Sequence, residues 1–359
     1  MKIGILTYHR TLNYGACLQA MATRIIIENL GYEAYYVDYW PEYHSQFYSA
    51  FSLEKLIKTR GIKSKMRLLY EALLYGRYQD KRRENFNKFI AVEIAPFCRP
   101  LSEKYEVVIY GSDQIWRKQP LLNKYNPIYF ADGSIVAKKH IAFSASMGVM
   151  PTTLQDKELL STLLNNFDAI SVRENELKIY CQQITKKQVH LTLDPTLLLP
   201  ANVWQDLLPI AGYNGPKYVL VYALHNTFSI KEVNDFANKH GLSVKVIYGT
   251  TNKRESDAVI TTAGPIEFLR LINNADVVFS ASFHGLAFSL LFKKEFFVSF
   301  DNNAGRVKSL LAEVGLSERF IAPMSQIPTN VIAIDYDKVG QKLELLRAKS
   351  YEYLKDSLR

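Results

Sequence analysis

The residues best able to do chemistry lie where an apolar run gives way to a short polar loop. Ser282-Phe283-His284-Gly285 follows the run 276–280 and precedes an apolar helical stretch at 286–292. In an open α/β sheet, ligands bind beyond the carboxyl ends of the strands, where the next helix offers unpaired N–H groups and the positive end of its dipole. At such an entrance His284 would lie beside a bound phosphate or carboxylate, and acid-base work is the role that fits. The competing reading is a histidine satisfied within the core.

A second junction reads Tyr110-Gly111-Ser112-Asp113-Gln114-Ile115-Trp116. Gly111 permits a tight turn, after which Ser112, Asp113 and Gln114 suit sugar hydroxyls. Trp116 would stack on a sugar face or pack in the core. The loop 7–16 holds Asn13, both donor and acceptor, and Gly15, which lets backbone approach a ligand. Arg173, ending the run 169–173, has the forked geometry that grips a carboxylate, or else pairs with Glu174 or Asp194. Arg306, in the loop beyond Phe300, adds a cation near the face of His284, unless that loop only caps a helix.

Other chemistries find no support. Neither G-x-G-x-x-G nor a Walker Gly-Lys-Ser is present, so no dinucleotide or ATP fingerprint exists, and no G-x-S-x-G elbow offers a serine nucleophile. The 7 histidines show no paired metal-ligand spacing, and no metal is expected. Cys17, Cys98 and Cys181 form no C-x-x-C pair, so a reducing cytoplasm is the expected compartment.

The elements that must position these residues alternate. Strands are expected at 1–6, 33–39, 107–110, 140–144, 169–173 and 189–193, with a helix from 16 to about Gly31, a helix-stop glycine. Breakers cluster at 198–216 as a linker. Strands then recur at 218–224, 243–248, 276–280 and 296–300, with helices at 229–240, 265–273 and 286–292. The fold class is therefore α/β, two Rossmann-like doubly wound domains at 1–199 and 216–335 facing a cleft, with a terminal helical segment, 336–359, that packs across both. The 359 residues, 48% of them hydrophobic, suffice for two cores.

The net charge of +9 is concentrated. Between Glu54 and Lys88 eleven basic residues stand against four acidic ones, inside an expected basic helical insertion at 52–90. Apolar residues interleave with them, so the insertion reads either as a helix on an anionic membrane face or as an ordinary solvated hairpin. No apolar run is long enough to span a bilayer. The expected place is the cytoplasm, peripheral at the inner face of the cell membrane under the first of these two readings. Net charge without a reading motif does not support nucleic acid as a partner.

Read together and in order, Asn13-Tyr14-Gly15 with Leu18-Gln19, Gly111-Ser112-Asp113-Gln114-Ile115-Trp116, Ser171-Val172-Arg173-Glu174, Asp194-Pro195-Thr196 and Ser282-Phe283-His284-Gly285 resemble the polysaccharide pyruvyltransferase family, over about residues 1–320. The resemblance implies a fold similar to GT-B glycosyltransferases. It also implies phosphoenolpyruvate as co-substrate with no other cofactor, and a cyclic ketal formed on a sugar of a cell-surface polysaccharide precursor; the basic insertion would dock such a precursor were it polyprenyl-diphosphate-linked. For that chemistry His284 is expected to be the acid and Asp113 the base. Arg173, Ser282, Gly285 and Arg306 fall on the donor side, and Asn13, Gly15, Ser112, Gln114 and Trp116 on the acceptor side. Many members carry Arg where this chain has Ser282, so either Arg306 or Lys293 supplies the charge or the donor is bound differently in this chain. The competing functions are a GT-B-type nucleotide-sugar glycosyltransferase and an inactive glycan-binding scaffold.

Overall fold

A computed structural model describes residues 1–41, 61–119, 122–210, 212–224, 227–249, 252–301, 304–328 and 332–359. Residues 52–60 of the expected insertion lie outside them. The first half builds a seven-stranded sheet from β1 (Lys2–Leu6), β2 (Glu33–Asp38), β3 (Cys98–Pro100), β4 (Tyr105–Tyr110), β5 (Ala137–Ala145), β6 (Ala169–Val172) and β7 (Val189–Leu191). Their order is β3-β2-β1-β4-β5-β6-β7, and every pairing is parallel. The second half builds a five-stranded parallel sheet from β8 (Tyr218–Ala223), β9 (Ser243–Tyr248), β10 (Val259–Ile260), β11 (Val277–Ser280) and β12 (Glu295–Val298), in the order β10-β9-β8-β11-β12.

Both orders reverse direction once, at β1/β4 and at β8/β11, and such reversal points are where a doubly wound sheet binds ligands. The architecture is two Rossmann-like units. Parallel strands covered on both faces need apolar residues throughout, and Ile3, Ile5, Val108, Ile109, Val219, Leu220 and Val221 are all fully buried or nearly so.

One buried apolar cluster runs without a break from Ile3 and Tyr14, through Trp204 and Phe268, to Leu220 and Leu354. The halves are thus joined beneath their facing edges. Tyr14, in the helix Tyr14–Asn29, stacks on Phe268 at 4.5 Å and donates to the Ala263 carbonyl at 3.1 Å. The terminal helix Tyr336–Leu358 touches both halves, since Tyr353 donates to Ala142 O at 2.8 Å and Tyr336 donates to Ser289 O at 3.4 Å.

The basic insertion forms the long helix Ile62–Glu93. Its distal part is anchored on the second half, where Arg82 donates to Tyr248 O at 3.1 Å and Asn85 to Thr262 O at 2.8 Å, with Phe86 and Phe89 buried. No described helix is long and apolar enough to cross a membrane. Unforeseen elements are β3, β10 and the helices Leu154–Leu164, Asn175–Ile184 and Gly305–Val314, while the expected linker includes the short helix Ala201–Gln205.

Candidate active site

The helix Phe283–Leu291 begins three residues earlier than its apolar spacing predicts, with every residue from Phe283 to Leu291 buried. His284 therefore stands in the first turn, between the two halves. Its ring presses on Gly15: a Cβ there would lie 1.9 Å from Nδ1. Gly15 is required for room, since the histidine occupies the place of a side chain. On its other edge Nε2 lies 3.7 Å from Asp194 Oδ2 and has no hydrogen-bond partner.

Asp194 ends the segment after β7 and caps the short helix Pro195–Leu198, accepting from Thr196 N at 3.0 Å and Thr196 Oγ1 at 2.7 Å. Its second oxygen accepts from Ser112 Oγ at 2.9 Å and from Arg173. Burial alone would raise the Asp194 pKa, but His284, Arg173 and the Thr196 hydrogen bonds outweigh it and hold the carboxyl well below the usual range. Sequence reasoning used Asp194 only as a family marker and a surface partner for Arg173. An Asp before Pro, the pattern of an N-cap with Pro at the first helical position, was the signal available.

Arg173 is buried and spends Nη1 on Asp194 and, at 3.2 Å, on Ser112 Oγ. Its Nε and Nη2 carry no hydrogen bond; Asp113 Oδ1 is 3.6 Å from Nη2 and Glu174 Oε1 is 3.9 Å from Nε. Arg306 approaches from the second half. The two guanidinium carbons lie 5.0 Å (Arg173) and 6.0 Å (Arg306) from the ring centre of Phe283. Burial, then repulsion from Arg173, pulls the Arg306 pKa down to about 10, so it remains a cation at neutral pH. Its Nε also has no partner. Burial pushes the Glu174 carboxyl up against the pull of Arg173 and Arg306. Lys293 is exposed at the far end of the histidine's helix, so of the two cations expected to stand in for the missing Arg it is Arg306 that lies near Phe283, alongside Arg173.

The remaining expected residues divide. Gln114 reaches across to Arg306; with its amide oxygen facing the guanidinium it accepts from both Nη atoms at 2.9 and 2.8 Å. Asp113 adopts φ 63, a left-handed conformation that Asp tolerates better than most residues, and its Oδ1 accepts from Gln114 N at 2.8 Å. Ser112 is fully buried in the Asp194 cluster, so it orients that carboxylate and cannot meet a sugar directly. Trp116 is likewise a correction. It is fully buried, stacked on Phe130 at 5.4 Å with Nε1 donating to Tyr129 O, and offers no face to a sugar.

Gly285 is explained by packing, because a Cβ would lie 2.0 Å from Ser280 Oγ and 3.3 Å from Tyr222. Ser282 occupies the N-cap position but makes no side-chain capping bond. Asn13 is exposed and uses Oδ1 to cap its helix through Ala16 N at 3.1 Å. Among the described residues one group of metal-ligand types converges, His9, Asp38 and Cys98, with donor atoms within 4.8 Å. There Asp38 is paired with Arg10, a cation already in place.

His284 and Arg306 from the second half and Arg173 from the first thus lie beside one ring, Phe283, with Asp194 and Asp113 against Arg173. Unpaired donors on the buried Arg173 and the half-buried Arg306 suit a multiply charged anion. An imidazole nitrogen facing a carboxylate suits proton transfer next to it.

A family described as polysaccharide pyruvyl transferase matches residues 13–303. No curated protein sequence matches. Similar solved structures include UDP-GlcNAc 2-epimerase from Neisseria meningitidis bound to UDP-GlcNAc, at 9% identity and TM-score 0.47, covering 99% of this chain and 94% of that one. Another is E. coli heptosyltransferase WaaC with ADP, at 12% identity and TM-score 0.39, covering 96% of this chain and 100% of that one. These values are too low to transfer chemistry or ligand.

Proposed function

The chain belongs to the polysaccharide pyruvyl transferase family, and from that premise we propose that it moves pyruvate from phosphoenolpyruvate onto a hydroxyl pair of a sugar in a cell-surface polysaccharide precursor, forming a cyclic ketal. The observation that carries the reading is the pairing of His284 Nε2 with Asp194 at 3.7 Å, beside two arginines whose Nε atoms lack partners.

In this reading Arg173 and Arg306 hold the carboxylate and phosphate of the donor on either side of Phe283. Protonated His284 delivers its Nε2 proton to the methylene carbon, and Asp194 steadies the imidazolium before transfer. The proton turns the methylene into a methyl group and leaves the central carbon electron-poor. One sugar hydroxyl then adds to that carbon, giving its proton to Asp113. Phosphate departs with the C–O bonding pair and takes the proton from Asp113, and the second hydroxyl closes the ring, its own proton restoring the imidazolium of His284. The sum is one phosphoenolpyruvate and two hydroxyls giving one ketal and one phosphate. No step calls on a metal. The acceptor is a lipid-linked diphosphate sugar, whose apolar tail keeps it at a membrane.

The test is phosphate release from phosphoenolpyruvate in the presence of acceptor. Loss of a general acid costs about 10²- to 10⁴-fold, and that is the drop expected for His284→Ala. Undiminished turnover in that variant, with the fold intact by circular dichroism, would remove the histidine from the mechanism.

A further inference from the structure

The proximal part of the long helix Ile62–Glu93 carries two apolar faces. At about 100° per residue, the anchoring residues Arg82, Phe86 and Phe89 share one side with the half-buried Leu68 and Tyr75. The opposite side holds Ile62, Met66, Leu69, Tyr70 and Leu73, which are 79%, 65%, 49%, 63% and 85% exposed. These spacings of three and four residues make one stripe, turned away from the protein. Lys63 and Lys65 border its exposed apolar part on either flank, with Arg77 on the stripe itself; beyond Arg77 the face is no longer basic, because Asp80 and Glu84 lie on it and pair with Arg83 at 3.5 Å and Lys81 at 3.1 Å.

We propose that this stripe is a docking surface for an anionic phospholipid bilayer, along which the helix lies flat. Apolar side chains between rows of basic residues match the acyl boundary and the phosphate level of such a surface, and the Lys and Arg stems span the two. Charge favours that occupant over a second copy of this chain, because the stretch 62–77 carries Lys63, Lys65, Arg67 and Arg77 against Glu71 alone and would repel its own copy. Arg82, one of the eleven basic residues counted in the sequence, does not contribute. It is buried and holds the helix to the second half through Tyr248 O and Thr261 O, which makes the stripe a fixed part of the molecule. The inference does not depend on the reaction, and its test reads no turnover.

The experiment is cosedimentation of the full chain with vesicles containing phosphatidylglycerol, against vesicles of phosphatidylcholine alone, at low and high salt. Binding should be confined to the anionic vesicles and weakened by salt. Leu69→Asp with Leu73→Asp, both exposed and so neutral to the fold, should weaken it about tenfold or more, and Lys63→Gln with Lys65→Gln should act similarly. The proposal is overturned if the anionic vesicles leave the protein in the supernatant, or if the double aspartate variant binds as the parent does. It is also overturned if ultracentrifugation finds a dimer that this variant dissociates while no vesicle binds.

Discussion

At the scale of single residues the centre depends on a space as much as on a group. Gly15 has no Cβ, and His284 occupies the room this leaves, its Nδ1 1.9 Å from where that atom would be. Gly15→Ala should therefore push the imidazole off its line to Asp194. A displacement of about 1 Å costs on the order of 10²-fold in turnover, so phosphate release should fall by about that much, and overpacking of the buried site should lower stability by about 1 to 3 kcal/mol. Full activity in the alanine variant would show that the ring's position is not set by this contact. The sequence made His284, Arg173 and Arg306 legible because each follows a strand's carboxyl end. Ser112, Trp116 and Gly285 were legible as positions but not as roles. Whether a polar or aromatic side chain turns inward depends on partners, such as Asp194 and Tyr129 O, that are distant in the chain.

At the scale of elements, buried parallel strands announce themselves as apolar runs, and this is why β1, β4, β8 and β11 could be read directly. The helices Leu154–Leu164 and Gly305–Val314 could not, because their amphipathic pattern is short and flanked by loops of similar composition. Edge strands of two or three residues such as β3 and β10 leave almost no pattern at all. The long helix shows what charge counting hides, for its basic residues do two jobs. Arg82 binds two main-chain carbonyls and lies 5.2 Å from the ring centre of Tyr14, whereas Lys81 next to it is exposed and paired with Glu84. Arg82→Ala should destabilise the protein by about 2 to 3 kcal/mol, the worth of buried charge-assisted hydrogen bonds, and lower the thermal midpoint. Lys81→Ala should leave the midpoint in place, and equal effects of the two would contradict this division.

At the scale of the whole molecule, acid should loosen the fold. His9 is 1% exposed, stacks on Tyr36 at 5.3 Å and uses Nδ1 to reach Thr7 O at 2.9 Å. Burial lowers its pKa from 6.5 to about 4. Below the higher value the unfolded chain takes up a proton that the folded chain refuses until the lower one. Stability is thus retained at neutral pH and falls as pH drops, by about 2 kcal/mol near pH 5 from this group alone. Urea unfolding at about pH 7.5 and pH 5 should show the loss, and His9→Gln should shrink it; an unchanged difference would place the acid sensitivity elsewhere. The division into two sheets was readable from alternation and breakers. Their shared core was not, because the stacking of Tyr14 on Phe268 joins residues with no sequence signal in common. That His284 comes from one half and Asp194, Arg173 and Gly15 from the other has a consequence for recombination. A hybrid that joins the first half of this protein to the second half of a relative inherits a working centre only if the incoming histidine finds its glycine notch and its carboxylate in register. Inactive crosses between two active parents should therefore be rescued by restoring these few seam residues rather than by exchanging longer segments.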